Sequence, residues 1–285
     1  ILRGIPLPDW NQIGDVPERK IKGRFAELSK TRKYRESIPD WMDEICVNEL
    51  GEEIWTKEIA ALNVQANVIL RTNTLNISKE LLQKKLKAED IITEFVPNHP
   101  DALILPERAN VFKTEAFHNG FFEVQDASSQ LVAAYLDVKP GMKVVDTCAG
   151  AGGKTLHLSS LMRNKGEIIA LDVEIDKLKE LSRRARRDKV KAIKNTWVPD
   201  PQYKESLTNW ADRVLIDAPC SGLGTLKRNP ELKWRLTEER ISEVIELQRA
   251  ILLEQSKWVK AGGKLIYVTC SILPSENQNQ IAWFL

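Results

Sequence analysis

A chain of 285 residues with 42% hydrophobic side chains has ample core material for one large or two ordinary domains, which excludes an intrinsically disordered protein. Its formal net charge of +2 excludes global basicity as a sign of nucleic-acid binding, so any such signal must come from local clusters of Lys and Arg. Four cysteines (Cys46, Cys148, Cys220, Cys270) form no CxxC pair; a bound metal is therefore not expected, and reduced thiols in a cytoplasmic protein fit best.

No apolar run approaches the roughly 20 residues that span a bilayer, and no signal-peptide pattern opens the chain, so a soluble protein without a membrane partner is expected. Position 1 is Ile and the sequence stops at Leu285 inside a helical pattern, which points to a piece of a longer protein.

In chain order, the first stretch carries a basic run (Arg19, Lys20, Lys22, Arg24, Lys30, Arg32, Lys33, Arg35), and Pro39-Asp40-Trp41 then opens an amphipathic helical pattern through Ile45, Leu50, Ile54 and Ile59. This predicts a helical extension over 1–66. Asn67-Val68-Ile69-Leu70-Arg71-Thr72 reads as a strand, and Ser78 as the N-cap of a helix with Leu81, Leu82 and Leu86 at helical spacing. Ile91–Val96 and Ala102–Leu105 read as further strands, giving a small α+β module over 67–124.

A helix through Leu131, Val132, Ala134 and Tyr135 leads to Pro140-Gly141, after which apolar strands alternate with amphipathic helices. Strands are predicted at Val144-Val145, Ile168–Leu171, Ile193–Val198, Val214–Ile216 and Lys264–Val268, with helices from about Lys154, Glu174 and Thr237. Such alternation argues for a parallel sheet covered by helices on both faces, a doubly wound domain over 125–285.

Asp146-Thr147-Cys148-Ala149-Gly150-Ala151-Gly152-Gly153-Lys154-Thr155 lies between the first of these strands and its helix, where glycines let the backbone approach a ligand and helix N–H groups face it. The run is not a phosphate-binding P-loop, because Cys148 stands where that motif needs its first glycine. Nor is it a dinucleotide fingerprint, because Thr155 occupies the third glycine's place. Asp172, at the end of the second strand, is suited to accept both hydroxyls of a ribose, although it could also cap the helix that follows. Asp200 is a candidate for the adenine edge or a turn residue before Pro201.

Cys220 in Asp217-Ala218-Pro219-Cys220-Ser221-Gly222 and Cys270 in Val268-Thr269-Cys270-Ser271 each follow a predicted strand. Ligands of open α/β sheets bind at the carboxyl ends of strands, so the pair suggests two thiols in one crevice, either of which could act as a nucleophile. Buried core cysteines are the plain alternative.

These motifs, in this order, resemble the RsmB-like (Nop/Sun) RNA cytosine-C5 methyltransferases. The resemblance rests on Val124-Gln125-Asp126-Ala127-Ser128-Ser129-Gln130, the Asp146 to Thr155 loop, Leu171-Asp172, Leu215 to Gly222, and Tyr267 to Ser271 with Glu276-Asn277 following. It covers about Asn67 to Leu285, and only Ile38-Pro39-Asp40-Trp41 extends it toward the N-terminus. One departure is Ala151, where the family usually has proline; the change alters loop stiffness and removes no side-chain ligand.

The resemblance implies a Rossmann-like methyltransferase domain, preceded by a small RNA-recognition-like module and lacking the family's last strands. It also implies S-adenosylmethionine as cofactor, held by Cys148, Ala149, Gly150, Ala151, Gly152, Gly153 and Lys154, with Asp172 on the ribose, Asp200 near the adenine, and Asp217 facing both cofactor and base. Within the resemblance Cys270 is the nucleophile that adds to C6 of cytosine and Cys220 assists product release. Such chemistry is suited to thiols, since C5 becomes electron-rich only after covalent addition at C6 and the adduct must later be expelled. Lys154 is placed to contact the Asp217 carboxylate or a substrate phosphate, or to sit in solvent at a helix start.

Lys227 and Arg228, just after the Cys220 loop, are the favoured RNA contacts, with the Arg19 to Arg35 run and Arg183-Arg184-Ala185-Arg186-Arg187 behind them. The expected partner is RNA, ribosomal RNA first, with a monomeric protein. A tRNA-directed enzyme of the same chemistry and a non-catalytic ribosome-assembly factor are the alternatives.

Overall fold

Gly51 divides what the sequence reads as one amphipathic helix. In the computed structural model, which describes residues 17–195 and 201–285, the chain opens on α1 (Glu18–Leu28), α2 (Arg32–Arg35), α3 (Asp40–Leu50) and α4 (Glu52–Leu62). At φ 82° Gly51 adopts a conformation that side chains with a Cβ resist, so the helical phase resets there and Ile54 is left 54% exposed. Met42, Cys46, Trp55 and Ile59 are fully buried and pack on Leu223, Leu226 and Leu273, which lie in the loops carrying Cys220 and Cys270. Within the basic run, Arg32 is drawn inward. Arg32 donates to both oxygens of Asp43, at 2.7 and 2.9 Å, and Trp55 Nε1 donates to the same carboxylate at 2.7 Å.

The next unit comprises β1 (Val68–Thr72), α5 (Lys79–Ala88), β2 (Glu94–Phe95), β3 (Ala102–Leu105), α6 (Glu115–His118) and β4 (Phe122–Val124). Its strands form an antiparallel sheet in the order β2-β3-β1-β4. Ser78 caps α5 as its position predicts, accepting the N–H of Leu81 at 3.3 Å. The strand predicted over Ile91–Val96 shrinks to the two residues of β2, both exposed at the sheet's edge. Leu70, Leu82, Leu86, Leu103 and Phe122 form the core between sheet and helices.

The remainder runs α7 (Ala127–Tyr135), β5 (Lys143–Asp146), α8 (Gly153–Leu161), β6 (Glu167–Ala170), α9 (Ile175–Arg187), β7 (Ile193–Asn195), α10 (Pro201–Ser206), β8 (Ala211–Asp217), α11 (Leu232–Arg235), α12 (Glu238–Gln255), β9 (Val259–Val268) and α13 (Gln278–Phe284). The strand predicted over Ile193–Val198 is described as far as Asn195, and Asp200 lies outside the described residues. All five strands are parallel in the order β7-β6-β5-β8-β9, the doubly wound arrangement read from the sequence. The direction of winding reverses between β5 and β8, and a crevice opens at their carboxyl ends. Among the described residues no helix is long and apolar enough to cross a membrane.

The turn before β4 meets the end of α9 across a tight backbone contact. Gly120 has φ 67°, and a Cβ there would overlap the Arg187 carbonyl and come within 2.8 Å of Asp188 Cα. Asn73 Nδ2 spans the same junction, donating to the Gly120 carbonyl at 2.8 Å and the Asp188 carbonyl at 2.9 Å. Gly120→Ala combines left-handed strain with overpacking, and a loss of about 3 kcal/mol is expected in urea unfolding. An unchanged midpoint would show that this junction is not rigid.

Candidate active site

The β5–α8 loop is built around a buried carboxylate and two left-handed glycines. Asp146, fully buried, accepts the Thr155 hydroxyl on Oδ2 at 2.7 Å, while its Oδ1 has no protein partner. Burial pushes this carboxyl up to about 7. Gly152, at φ 87°, faces Leu181 of α9 so closely that a Cβ would lie 2.6 Å from Leu181 Cγ; the start of α8 therefore needs glycine. Gly150, at φ 54°, has open space where a side chain would stand.

Asp172, two residues past β6, holds this loop from the neighbouring strand end. Its Oδ2 accepts the Gly150 N–H at 2.8 Å and its Oδ1 accepts the Glu174 N–H at 2.8 Å, so it shapes the entry to α9 and still keeps a lone pair on each oxygen. The open glycine cradle, the orphaned oxygen of Asp146 and the strand-end carboxylate together fit a nucleoside cofactor at the switch point. Cys148 belongs to this loop and not to the reactive pair: burial pushes its thiol up to about 12.

Across the switch point, the ladder sets Ile216 opposite Tyr267 and Asp217 opposite Val268, so the loops leaving β8 and β9 depart side by side. The result is a contact between the two thiols that sequence spacing could not measure. Cys220 Sγ and Cys270 Sγ are 3.1 Å apart, and the Cys270 N–H points at Cys220 Sγ from 3.3 Å. Donation by the Cys220 S–H lowers the pKa of Cys270, and Lys154 acts in the same direction. The hydrogen bond and burial push Cys220 far up. Cys270, the more exposed of the two, is the thiol whose ionisation the contact favours.

Lys154 Nζ lies 2.5 Å from Asp217 Oδ2, which settles its position between the alternatives left by the sequence. Both residues line a cavity of about 570 Å³ together with Cys270, Asp126, Lys227 and Arg228. α4 closes one wall through Glu58, Ala61 and Leu62. At the rim Lys227 is exposed, whereas Arg228 is tied to Asp126 at 2.8 Å and reaches the Asn67 carbonyl at 3.3 Å. The Arg183 cluster faces partly inward: Arg184 and Arg187 pair with Glu123, and Arg183 with Glu180.

Glu276 entered the sequence reading only as part of a motif, yet it joins the two thiol loops. Fully buried, its Oε1 accepts the hydroxyls of Ser221 and Ser271, each at 2.5 Å. Its Oε2 accepts the Ser221 N–H at 2.7 Å and Gln248 Nε2 at 3.0 Å. The available signal was a lone acid six residues past Cys270 in a segment otherwise free of charge.

Comparison with known proteins agrees with this geometry. A family description of the 16S rRNA methyltransferase RsmB/F matches residues 133–285, and one of the RsmF/B-like ferredoxin-like domain matches residues 38–112. A probable ribosomal RNA small subunit methyltransferase B of Synechocystis sp. is 36% identical over 253 residues, covering 87% of this chain and 56% of that protein. The chain thus spans just over half the length of that curated relative. A methyltransferase homolog protein from Pyrococcus horikoshii is 31% identical, covers 90% of this chain and 81% of that one, and superposes with a TM-score of 0.77. NSun6 from Pyrococcus horikoshii, solved with SFG, shares the fold at 24% identity and a TM-score of 0.79, with 87% of each chain covered. With the family description matching more than half of its residues, and with a ferredoxin-like unit before a doubly wound sheet, the chain belongs to the RsmB/F family of 16S rRNA methyltransferases.

Proposed function

We propose that this chain carries the chemistry of an S-adenosylmethionine-dependent methyltransferase acting on C5 of a cytosine in ribosomal RNA. The observation that carries the reading is the thiol pair, 3.1 Å apart, whose Cys270 lines the same cavity as Asp217 and Lys154. The cofactor would be held by the loop from Cys148 to Lys154, with Asp172 on its ribose, Asp217 nearby and Asp200 toward the adenine. When bound, it supplies an electrophilic methyl group.

The chain's own part begins with Cys270. Its lowered pKa raises the share of thiolate, and addition to C6 of the base places negative charge in the ring. Asp217, held by Lys154, stands where it can share a proton with N3 as that charge develops. Cys220, once its own proton has passed to solvent, then accepts the proton leaving C5, and the Cys270–C6 bond breaks to release Cys270 as thiolate. A base must leave its stack to enter the cavity, which favours loops or locally opened RNA. Lys227 at the rim would meet the neighbouring phosphate.

Transfer of tritiated methyl groups from S-adenosylmethionine to rRNA, with bisulfite sequencing of the product, tests this reading. Label at cytosine C5 of rRNA is expected. Label in tRNA alone would favour the tRNA-directed alternative, and RNA binding without label would favour an assembly factor.

A further inference from the structure

Two charged residues of the ferredoxin-like unit are buried. Arg71 of β1 and Glu123 of β4 stand directly opposite each other in the ladder and are 1% and 3% exposed. Charges buried this deeply are costly unless each finds partners, and both find theirs outside their own sheet. Arg71 Nη1 donates to Gln125 Oε1 at 2.9 Å and to the Gly153 carbonyl at 2.5 Å. Glu123 Oε2 accepts Arg184 Nη2 at 2.8 Å, and Arg184 Nη1 donates to the Ala151 carbonyl at 2.6 Å. One cross-strand pair therefore grips the β5–α8 loop on both sides of Gly152, directly at Gly153 and through Arg184 at Ala151.

We propose that Arg71 and Glu123 are positioning residues for the cofactor loop, so that the ferredoxin-like unit sets cofactor affinity besides any role in holding RNA. This rests on reading the Cys148 to Lys154 segment as the S-adenosylmethionine loop. Gly152 and Gly150 give that loop freedom that a productive site must remove, and the two gripped carbonyls remove it. An RNA that shifts β1 against β4 would reach the cofactor through the same contacts.

The test is calorimetric titration of the full chain with S-adenosylmethionine, without RNA, beside hydrogen exchange of the loop amides and thermal unfolding. Arg71→Met is expected to weaken binding about tenfold and to speed exchange at Gly152, Gly153 and Lys154, with Arg71→Lys recovering part of the affinity. Arg184→Met, which frees the Ala151 carbonyl, should weaken binding in the same direction and serves if Arg71→Met fails to fold. Asn73→Ala is the control, because Asn73 spans the same junction without touching the loop; it should lower the melting temperature and leave affinity unchanged. Wild-type affinity and exchange in Arg71→Met, or an equal loss of affinity in Asn73→Ala, would overturn the proposal. If the wild-type chain binds no S-adenosylmethionine, the proposed function falls, and the exchange difference still decides whether Arg71 orders the loop.

Discussion

Cys270→Ala is expected to abolish methyl transfer and to form no covalent complex with RNA containing 5-fluorocytosine, whereas Cys220→Ala should form a covalent complex with ordinary RNA and release it slowly. The asymmetry follows from how the contact shifts the two thiols. Cys270 is exposed at the cavity and its pKa is lowered by the contact with Cys220, which favours it as the nucleophile, whereas Cys220 is pushed up. Loss of the nucleophile should cost about 10⁴-fold or more in rate, and loss of the group that takes the C5 proton about 10² to 10⁴-fold. Denaturing gels of labelled RNA separate the two, and a Cys270→Ala chain that still cross-links would reverse the roles. The pH profile of Cys270 alkylation gives the same assignment without RNA. Thiolate is the reactive form, so the rate should fall with decreasing pH only through a value below that of an ordinary thiol. In Cys220→Ala, which lacks the S–H donor, that transition should move up in pH.

The second large effect is expected at Glu276. Glu276→Ala removes the acceptor for the Ser221 N–H, two hydroxyls and Gln248 at once, in a place that is buried except beside Ser271. Stranded buried donors cost about 1–3 kcal/mol each, and partial relaxation leaves an expected loss of about 4 kcal/mol in urea unfolding. The chemical consequence is separable from the stability loss. Ser221 follows Cys220 and Ser271 follows Cys270, so releasing both should let the thiols drift apart and return Cys270 reactivity toward that of a lone cysteine. Glu276→Gln keeps the shape and one acceptor oxygen, which can serve the two hydroxyls or the Ser221 N–H but not both, so it should fold better than the alanine variant and still fall short of the wild type. Native-like stability together with a native alkylation profile in Glu276→Ala would show that the loops are held elsewhere.

The doubly wound sheet was legible because its strands are short apolar runs between amphipathic helices, a period that needs no tertiary information. The crevice followed from topology, since the carboxyl ends of β5 and β8 must face the switch point whatever the side chains. What sequence could not supply was anything set by packing between distant segments. The break at Gly51 was hidden by apolar residues continuing in phase on either side, and the shrinkage of β2 by Ile91 and Ile92, which look like strand but lie outside it. Arg71 was passed over inside Val68-Ile69-Leu70-Arg71-Thr72, where a lone cation in an apolar strand was itself the signal that a buried partner exists. Glu123 and Arg184 find each other across 61 residues, a pairing no local pattern carries. The separation of Cys220 and Cys270 was the largest gap in the sequence reading, and the β8–β9 register closes it.

The cavity in front of Cys270 draws its walls from stretches far apart in the chain: Glu58, Ala61 and Leu62 of α4, Asn67 and Ile69 at the start of β1, Asp126 and Val132 around α7, Lys154 of α8, and the ends of β8 and β9 with the loops after them. Only the ends of β8 and β9 and the loops after them carry Cys270 and Asp217, the groups proposed to perform the reaction. Selection can therefore alter which nucleotide neighbours are admitted, by changes in α4 or at the start of β1, without disturbing bond-making groups. Relatives that modify different sites are expected to differ most along that outer wall, and an engineer seeking a new target sequence should randomise Glu58, Ala61 and Asn67 before touching anything that borders Cys270.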